Sequence, residues 1–171
     1  MKRLKIVAGG ESFLVALFMC AGSAYAADIS GTVATTLTIT ENSRLVGDVT
    51  CTVSGLPCLD IVASNVTLDL NSFSITGLAD PQTGCAGGGA LLTENGIQIL
   101  NQTGVTILGP GVVQRFRNHG IRINGSTGTH ITGVTTATNC YSGIIVAGAS
   151  NVLESNISIA NGNLTSACGG I

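Results

Sequence analysis

The pair Gly-Ile recurs at Gly96-Ile97, Gly120-Ile121, Gly143-Ile144 and Gly170-Ile171, an interval of about 25 residues each time. A period in this range is the signature of stacked repeats, in which each unit buries its apolar side chains against its neighbours. The units read alike. A short strand opens each one (Ile97-Gln98-Ile99, Ile121-Arg122-Ile123, Ile144-Ile145-Val146), with alternate apolar residues facing inward. A polar turn leads to a second strand (Val105-Thr106-Ile107, His130-Ile131-Thr132, Val152-Leu153) and then to a third apolar pulse (Val112-Val113, Val134, Ile157 and Ile159). A turn near Asn118, Asn139 and Asn161 closes the unit. Three strands in a repeat of about 23 residues predict an all-β chain folded as a right-handed parallel β-helix, a solenoid of about three to four coils.

An earlier coil fits more loosely: Leu59-Asp60-Ile61, then Val66 to Leu70, then Phe73-Ser74-Ile75. Between it and the next coil, Leu78 to Glu94 contains Pro81 and Gly87-Gly88-Gly89, and reads as a loop inserted at one corner. A leucine-rich repeat would need its Leu-x-x-Leu-x-Leu phrase and a buried Asn ladder, and neither is read here; the hexapeptide period of left-handed β-helices is also missing. Composition agrees with strands. Charged residues are 9% of the chain, against about 25% in an average soluble protein. Gly numbers 24, with 20 Thr and 12 Asn, so the sequence is rich in turn formers and β-branched residues and poor in the residues that dress exposed helices. A helical bundle is excluded. So is nucleic-acid binding through a strongly basic face.

Residues 1–26 read as an address. Lys2, Arg3 and Lys5 precede an apolar run from Phe13 to Ala21, and Ala24-Tyr25-Ala26 is a small-x-small cleavage site, which predicts a Sec-type signal peptide cut between Ala26 and Ala27. Leu17-Phe18-Met19 ahead of Cys20 is too bulky for a lipoprotein signal, and the run is too short to span a bilayer. The exported chain would keep Arg44, Arg115, Arg117 and Arg122 against eight carboxylates, so its formal charge is 4 − 8 = −4. Residues 27–58 read as an N-terminal cap region and residues 59–171 as the coils. In a secreted, periplasmic or cell-surface setting the five remaining cysteines can pair. Cys51 and Cys58 flank the turn Gly55-Leu56-Pro57 and are the first expected disulfide; Cys140 and Cys168 are the next candidates, leaving Cys85 odd.

The stretch Ala63-Ser64-Asn65-Val66-Thr67-Leu68-Asp69-Leu70-Asn71-Ser72-Phe73-Ser74-Ile75 resembles the opening coil of bacterial secreted β-helix proteins of the pectin-lyase-like superfamily, with Ser72 in place of a Gly. The resemblance runs from about Leu45 to Ile171. It implies the right-handed parallel β-helix, and it spans lyases, hydrolases, epimerases and non-catalytic modules alike.

In the family's enzymes the groove lies along the outside of the first strands. Alternation places Gln98, Arg122 and Ile145 outward there, preceded by the column Asn95, His119 and Ser142. The clustered Asp of lyases and the paired carboxylates of hydrolases are not read: Asp60, Asp69 and Asp80 are scattered, and Glu94 and Glu154 lie two coils apart. The Asp-Pro-His phrase of alginate-type epimerases is not read either, since Asp80-Pro81 runs on to Gln82. Polar chemistry concentrates at Arg115, Arg117, His119 and Arg122, a ledge suited to anions because guanidinium grips carboxylate or sulfate bidentately. With Gln98 these are the expected substrate-binding residues, and no catalytic residue is assigned. His130 aligns with Asn65 and Asn151 and reads as a turn-stacking residue. Two separated His residues and no Cys-x-x-Cys predict neither a metal site nor a cofactor. The Asn-x-Ser/Thr triplets, such as Asn101-Gln102-Thr103, read as turn residues rather than glycan acceptors.

The expected function is an exported, non-catalytic β-helix module that presents a surface to an anionic polysaccharide or to a cell-surface or periplasmic protein. The competing expectation is the N-terminal part of a carbohydrate-active enzyme whose catalytic coils are missing. Gly170-Ile171 stands where other units begin, which predicts an incomplete C-terminal coil prone to self-association.

Overall fold

A computed structural model describes residues 25–79, 85 and 93–162. Among them the chain is all-β, with thirteen strands and no helix. Five strands form one parallel sheet: β2 (Leu37–Ile39), β4 (Leu59–Ile61), β7 (Ile97–Leu100), β9 (Ile121–Asn124) and β11 (Ile144–Ala147), adjacent in that order. Eight form the other: β1 (Ala27–Val33), β3 (Ser43–Cys51), β5 (Thr67–Asp69), β6 (Ser74–Thr76), β8 (Thr106–Gln114), β10 (His130–Ala137), β12 (Val152–Glu154) and β13 (Ile157–Ile159). All pairings are parallel, and successive strands along the chain alternate between positions, an arrangement compatible with a β-helix.

The register explains the period. Ile97 pairs with Ile121, and Ile121 with Ile144, so each recurrence of the Gly-Ile pair returns the chain to one position in the sheet. Leu59 pairs with Ile97, so the inserted loop lengthens one unit without disturbing the register. Residues 27–58, read as a cap, carry β1 to β3, which extend both sheets in the same parallel register. β8 and β10 each run through what the sequence separates into a second and a third strand. Residues 1–24 (most of the expected signal peptide), most of the inserted loop, Cys168 and Gly170-Ile171 lie outside the described residues.

Aliphatic side chains stack between the sheets in columns one strand apart. Ile39, Ile61, Ile99, Ile123 and Val146 share one, and Ser43, Leu68, Ile107, Ile131 and Leu153 another. Ile61, Ile99, Ile107 and Ile131 are fully buried. Each such side chain contributes about 1.5–3 kcal/mol by leaving water. The recurring glycine before β7, β9 and β11 of the five-stranded sheet sits where the two sheets converge. A Cβ on Gly120 would stand 2.6 Å from the Gly143 carbonyl and 2.7 Å from the Asn139 amide, and one on Gly143 would meet the Thr136 and Ser158 hydroxyls. Close approach, not a turn, selects glycine there.

The third column corrects the sequence reading of β13. Val49, Ile75, Val113, Thr136 and Ser158 align, so the inward residue of β13 is Ser158. Ile157 and Ile159 point outward and are about half exposed. In a strand of three residues, either phase of an alternating pattern is self-consistent, and the neighbouring register decides between them. A buried Asn ladder, not expected from the sequence, is also present. Asn139 is fully buried, with its Oδ1 accepting from Phe116 N at 3.0 Å and its Nδ2 donating to Val113 O at 3.1 Å. Asn161 repeats the clip one unit later, on Asn139 N and Thr136 O. His130 opens β10, as the strand reading expects, but it pairs in register with Thr106 and Val152 rather than with Asn65 and Asn151, and lies 3.3 Å from Glu154.

Both disulfides are formed within the described residues. Cys51 is bonded to Cys58. Cys140 is bonded to Cys85, 55 residues away, not to Cys168. Its burial with Ala79 and Cys85 in a small separate cluster beneath Tyr141 accounts for that choice. By the loop-entropy relation, such a closure is worth about 4 kcal/mol. Paired cysteines are the chemistry of an oxidising compartment.

Candidate functional site

Thr38, Asp60, Gln98, Arg122 and Ile145 form one outward column on the five-stranded sheet, each in register with the next. Asp60 is the only carboxylate in it. Parallel pairing keeps these side chains a strand spacing apart, so the column presents one side chain per unit, polar in all but the last, Ile145. Its centre is less open than alternation implies. Gln98 is 7% exposed, with its Nε2 donating to Asp60 at 3.3 Å and its Oε1 accepting from Asn95 at 3.2 Å. Both ends of that amide are engaged within the fold.

Behind the column is a buried polar corner, which corrects the expected outward placement of Asn95. Asn95 is fully buried. Its Oδ1 accepts from Asn118 Nδ2 at 2.9 Å and from His119 N at 3.3 Å. Glu94, 6% exposed, accepts from Gly55 N at 2.7 Å and Ser54 Oγ at 3.2 Å, and lies 3.5 Å from Arg117. A carboxylate so enclosed needs these donors.

The expected ledge therefore divides. Arg117 neutralises Glu94. Arg115 holds a left-handed corner (φ 59°), aligned along the repeat with Thr138 and Ala160, and its Nε donates to Ala79 O at 2.9 Å. Both guanidinium groups serve the inserted segment and its borders. Arg122 is different: it is half-buried and has no ion pair or hydrogen bond among the described residues. Beside it, His119 accepts at Nδ1 from Ser142 N at 3.2 Å, which leaves the proton of the neutral ring on Nε2. Burial, and then the charge of Arg122, push this imidazole down to about 4. The ring lies tilted against Tyr141, with centroids 5.7 Å apart. Tyr141 carries no repeat signal of its own, but it follows Cys140, whose disulfide fixes that turn.

The partly exposed group is thus a guanidinium with no ion pair or hydrogen bond among the described residues, a neutral imidazole, a tyrosine ring and Ile145. Such a surface can pair an anion and pack against the apolar face of a ring. Among the described residues no cluster of three or more His, Cys, Asp or Glu side chains could hold a metal ion. No helix among them is long and apolar enough to cross a membrane. The chain matches no protein-family model, no curated protein and no solved structure.

Proposed function

We propose that this chain is an exported module of right-handed parallel β-helix architecture that binds an anionic glycan through the Arg122 ledge without transforming it. The observation that carries the reading is the half-exposed Arg122 guanidinium, without an ion pair or hydrogen bond among the described residues, in an outward column whose other charged and amide groups are engaged. The returning parallel register and the glycine at each convergence support the solenoid, and its likeness to pectin-lyase-like secreted proteins is part of the same reading. Paired cysteines and the n-region, apolar run and Ala24-Tyr25-Ala26 site support export. A non-catalytic role is favoured because the column offers a single carboxylate, Asp60, where glycosidic acid–base chemistry uses two. Tyr141 and Ile145 supply a stacking surface, and Arg122 supplies the charge.

The test is a glycan array, followed by calorimetry on the best acidic oligosaccharide and a product assay on uronans. Saturable binding that weakens about tenfold in Arg122→Ala, with no product formed, is the expected result. Equal binding of wild type and Arg122→Ala to every acidic glycan would overturn the assignment.

A further inference from the structure

Tyr25 and Ala26, the two residues ahead of β1, are built into the fold. β1 pairs with β3 from Ala27 opposite Ser43, and the ladder runs one rung further back. Ala26 N donates to Asn42 O at 2.8 Å, a shorter bond than the 3.3 Å from Ala27 N to the same oxygen. Asn42 also accepts at Oδ1 from Thr67 N at 2.8 Å, so one asparagine joins the starts of β1, β3 and β5. Ahead of that rung, the Tyr25 side chain reaches the outward pair Arg44 and Asp69, which are in register with each other. Its hydroxyl donates to Asp69 Oδ2 at 3.1 Å, 44 residues along the chain, and its ring centre lies 5.8 Å from the Arg44 guanidinium. Arg44 is itself fixed by Asp28, to which its Nε donates at 2.8 Å. Tyr25 is half-buried here, and burial, then Asp69, raise its phenol above the ordinary value of 10.

These contacts separate two ways of ending a leader. The small-x-small pattern occurs in two overlapping frames, Gly22-Ser23-Ala24 and Ala24-Tyr25-Ala26, and the sequence alone satisfies either. A cut after Ala26 takes the hydroxyl from Asp69, the ring from Arg44 and the shorter bond from Asn42, leaving β1 to start on its 3.3 Å bond. A cut after Ala24 removes none of them, because the Ala24–Tyr25 bond precedes every one of these contacts. A leader contributes nothing to the product once it is cut away. Residues that complete a ladder and satisfy a carboxylate therefore belong to the product.

We propose that the exported chain is processed between Ala24 and Tyr25, with Gly22 and Ala24 as the recognised small residues, so that Tyr25 is its first residue. The inference deepens the proposed export and rests on it. The agent is an endopeptidase of the export route that reads small side chains one and three residues before the cut. One water is consumed: its oxygen joins the Ala24 carbonyl carbon, which leaves as a carboxylate, and the Tyr25 nitrogen becomes an α-ammonium. The retained Tyr25 then clasps the start of β1 to Arg44 of β3 and Asp69 of β5.

The experiment expresses the full chain in a bacterial host and reads the exported product by intact mass and N-terminal sequencing. The expected product starts at Tyr25. Gly22→Leu changes only the upstream frame and should lower the yield of that product about tenfold or more, whereas Ala26→Leu changes only the downstream frame and should leave it unaltered. A processed product that starts at Ala27, or at any residue other than Tyr25, would overturn the proposal and leave the export reading standing. So would loss of processing in Ala26→Leu with normal processing in Gly22→Leu. A chain that keeps residues 1–24 would overturn the export reading and this proposal with it. A second measurement does not depend on the peptidase. The exported product of Tyr25→Ala, whose upstream frame is intact, should melt about 2–4 °C below the wild-type product. Equal midpoints would overturn the clasp on which the inference stands.

Discussion

The units around β7 and β9 and the last described unit, β11 to β13, share one register but are held by different forces. In the first, inward positions carry Ile97, Ile99, Ile121 and Ile123, all at most 1% exposed. In the last, outward positions carry Ile145, Val152, Ile157 and Ile159, each at least 38% exposed, while Ser158 faces in. Ile144 still anchors this unit in the core at 1% exposed and Leu153 packs against that core, while asparagine fastens the rest. Asn151, Asn156 and Asn161, evenly spaced along the chain, each follow a left-handed residue (Ser150, Ser155 and Ala160, φ 57°, 54° and 49°). Each accepts from a backbone N–H one unit earlier: Thr129, Val134 and Asn139. Each also donates to a carbonyl three positions before that N–H: Ser126, Ile131 and Thr136. A left-handed corner interrupts the ladder and strands one donor and one acceptor, and the side-chain amide satisfies both. One fold is thus maintained by desolvated aliphatic stacks in its middle and by amide clips at its end.

The comparison breaks most visibly at the stacks. Ile123→Ala should cost about 3–4 kcal/mol, whereas Val146→Ala, in the same column but 36% exposed, should cost about 1 kcal/mol or less. Denaturant melts of the two variants check this, and equal losses would remove the distinction. The clips should show a smaller contrast. Asn139→Ala orphans the buried Phe116 N–H and Val113 carbonyl and should cost about 2–3 kcal/mol; Asn156→Ala, at a half-buried corner, should cost about 1 kcal/mol.

Much of the middle is legible in the sequence and less of the end. Gly-Ile marks β7, β9 and β11 because a Cβ at Gly96, Gly120 or Gly143 would collide with the neighbouring unit and the following isoleucine stacks inward; β2 and β4 open on Thr36-Leu37 and Cys58-Leu59 and escape the pattern. The phase of β13 is not legible, since Ile-Ser-Ile reads as well inward as outward until Thr136 fixes its neighbour. The clips leave a trace, Asn at 151, 156 and 161, but a turn-forming residue gives the same trace. At the ledge, alternation finds Arg122. It cannot show that Arg115 and Arg117 are engaged, because their partners Ala79 and Glu94 lie a unit or more back along the chain. The same separation hides the bond from Cys85 to Cys140.

The pH dependence sharpens the picture of the middle units. The His119 ring is neutral in both folded and unfolded chains above its ordinary value of 6.5. As pH falls toward about 4, the unfolded chain takes up a proton that the folded ring refuses, so stability is present above 6.5 and lost on the way down. With allowance for the partial exposure of the ring, the loss should be about 1–2 kcal/mol, and His119→Gln should flatten it. Thermal melts between these pH values check the sign; a protein that gains stability over this window refutes it. The smallest effect belongs to the ledge itself. Arg122→Ala should change stability by no more than about 0.5 kcal/mol, since the guanidinium has no partner among the described residues to lose.

Native-state hydrogen exchange tests the central claim most directly, because it reads the opening free energy of each unit in one unmodified protein. The buried stacks predict that amides of β7 and β9 exchange only through global unfolding, while amides of β11, β12 and β13 open at several kcal/mol less. Asn139→Ala should lower protection of the last unit more than that of β7. Uniform protection from β7 through β13, unchanged by Asn139→Ala, would contradict the division into aliphatic stacks and amide clips.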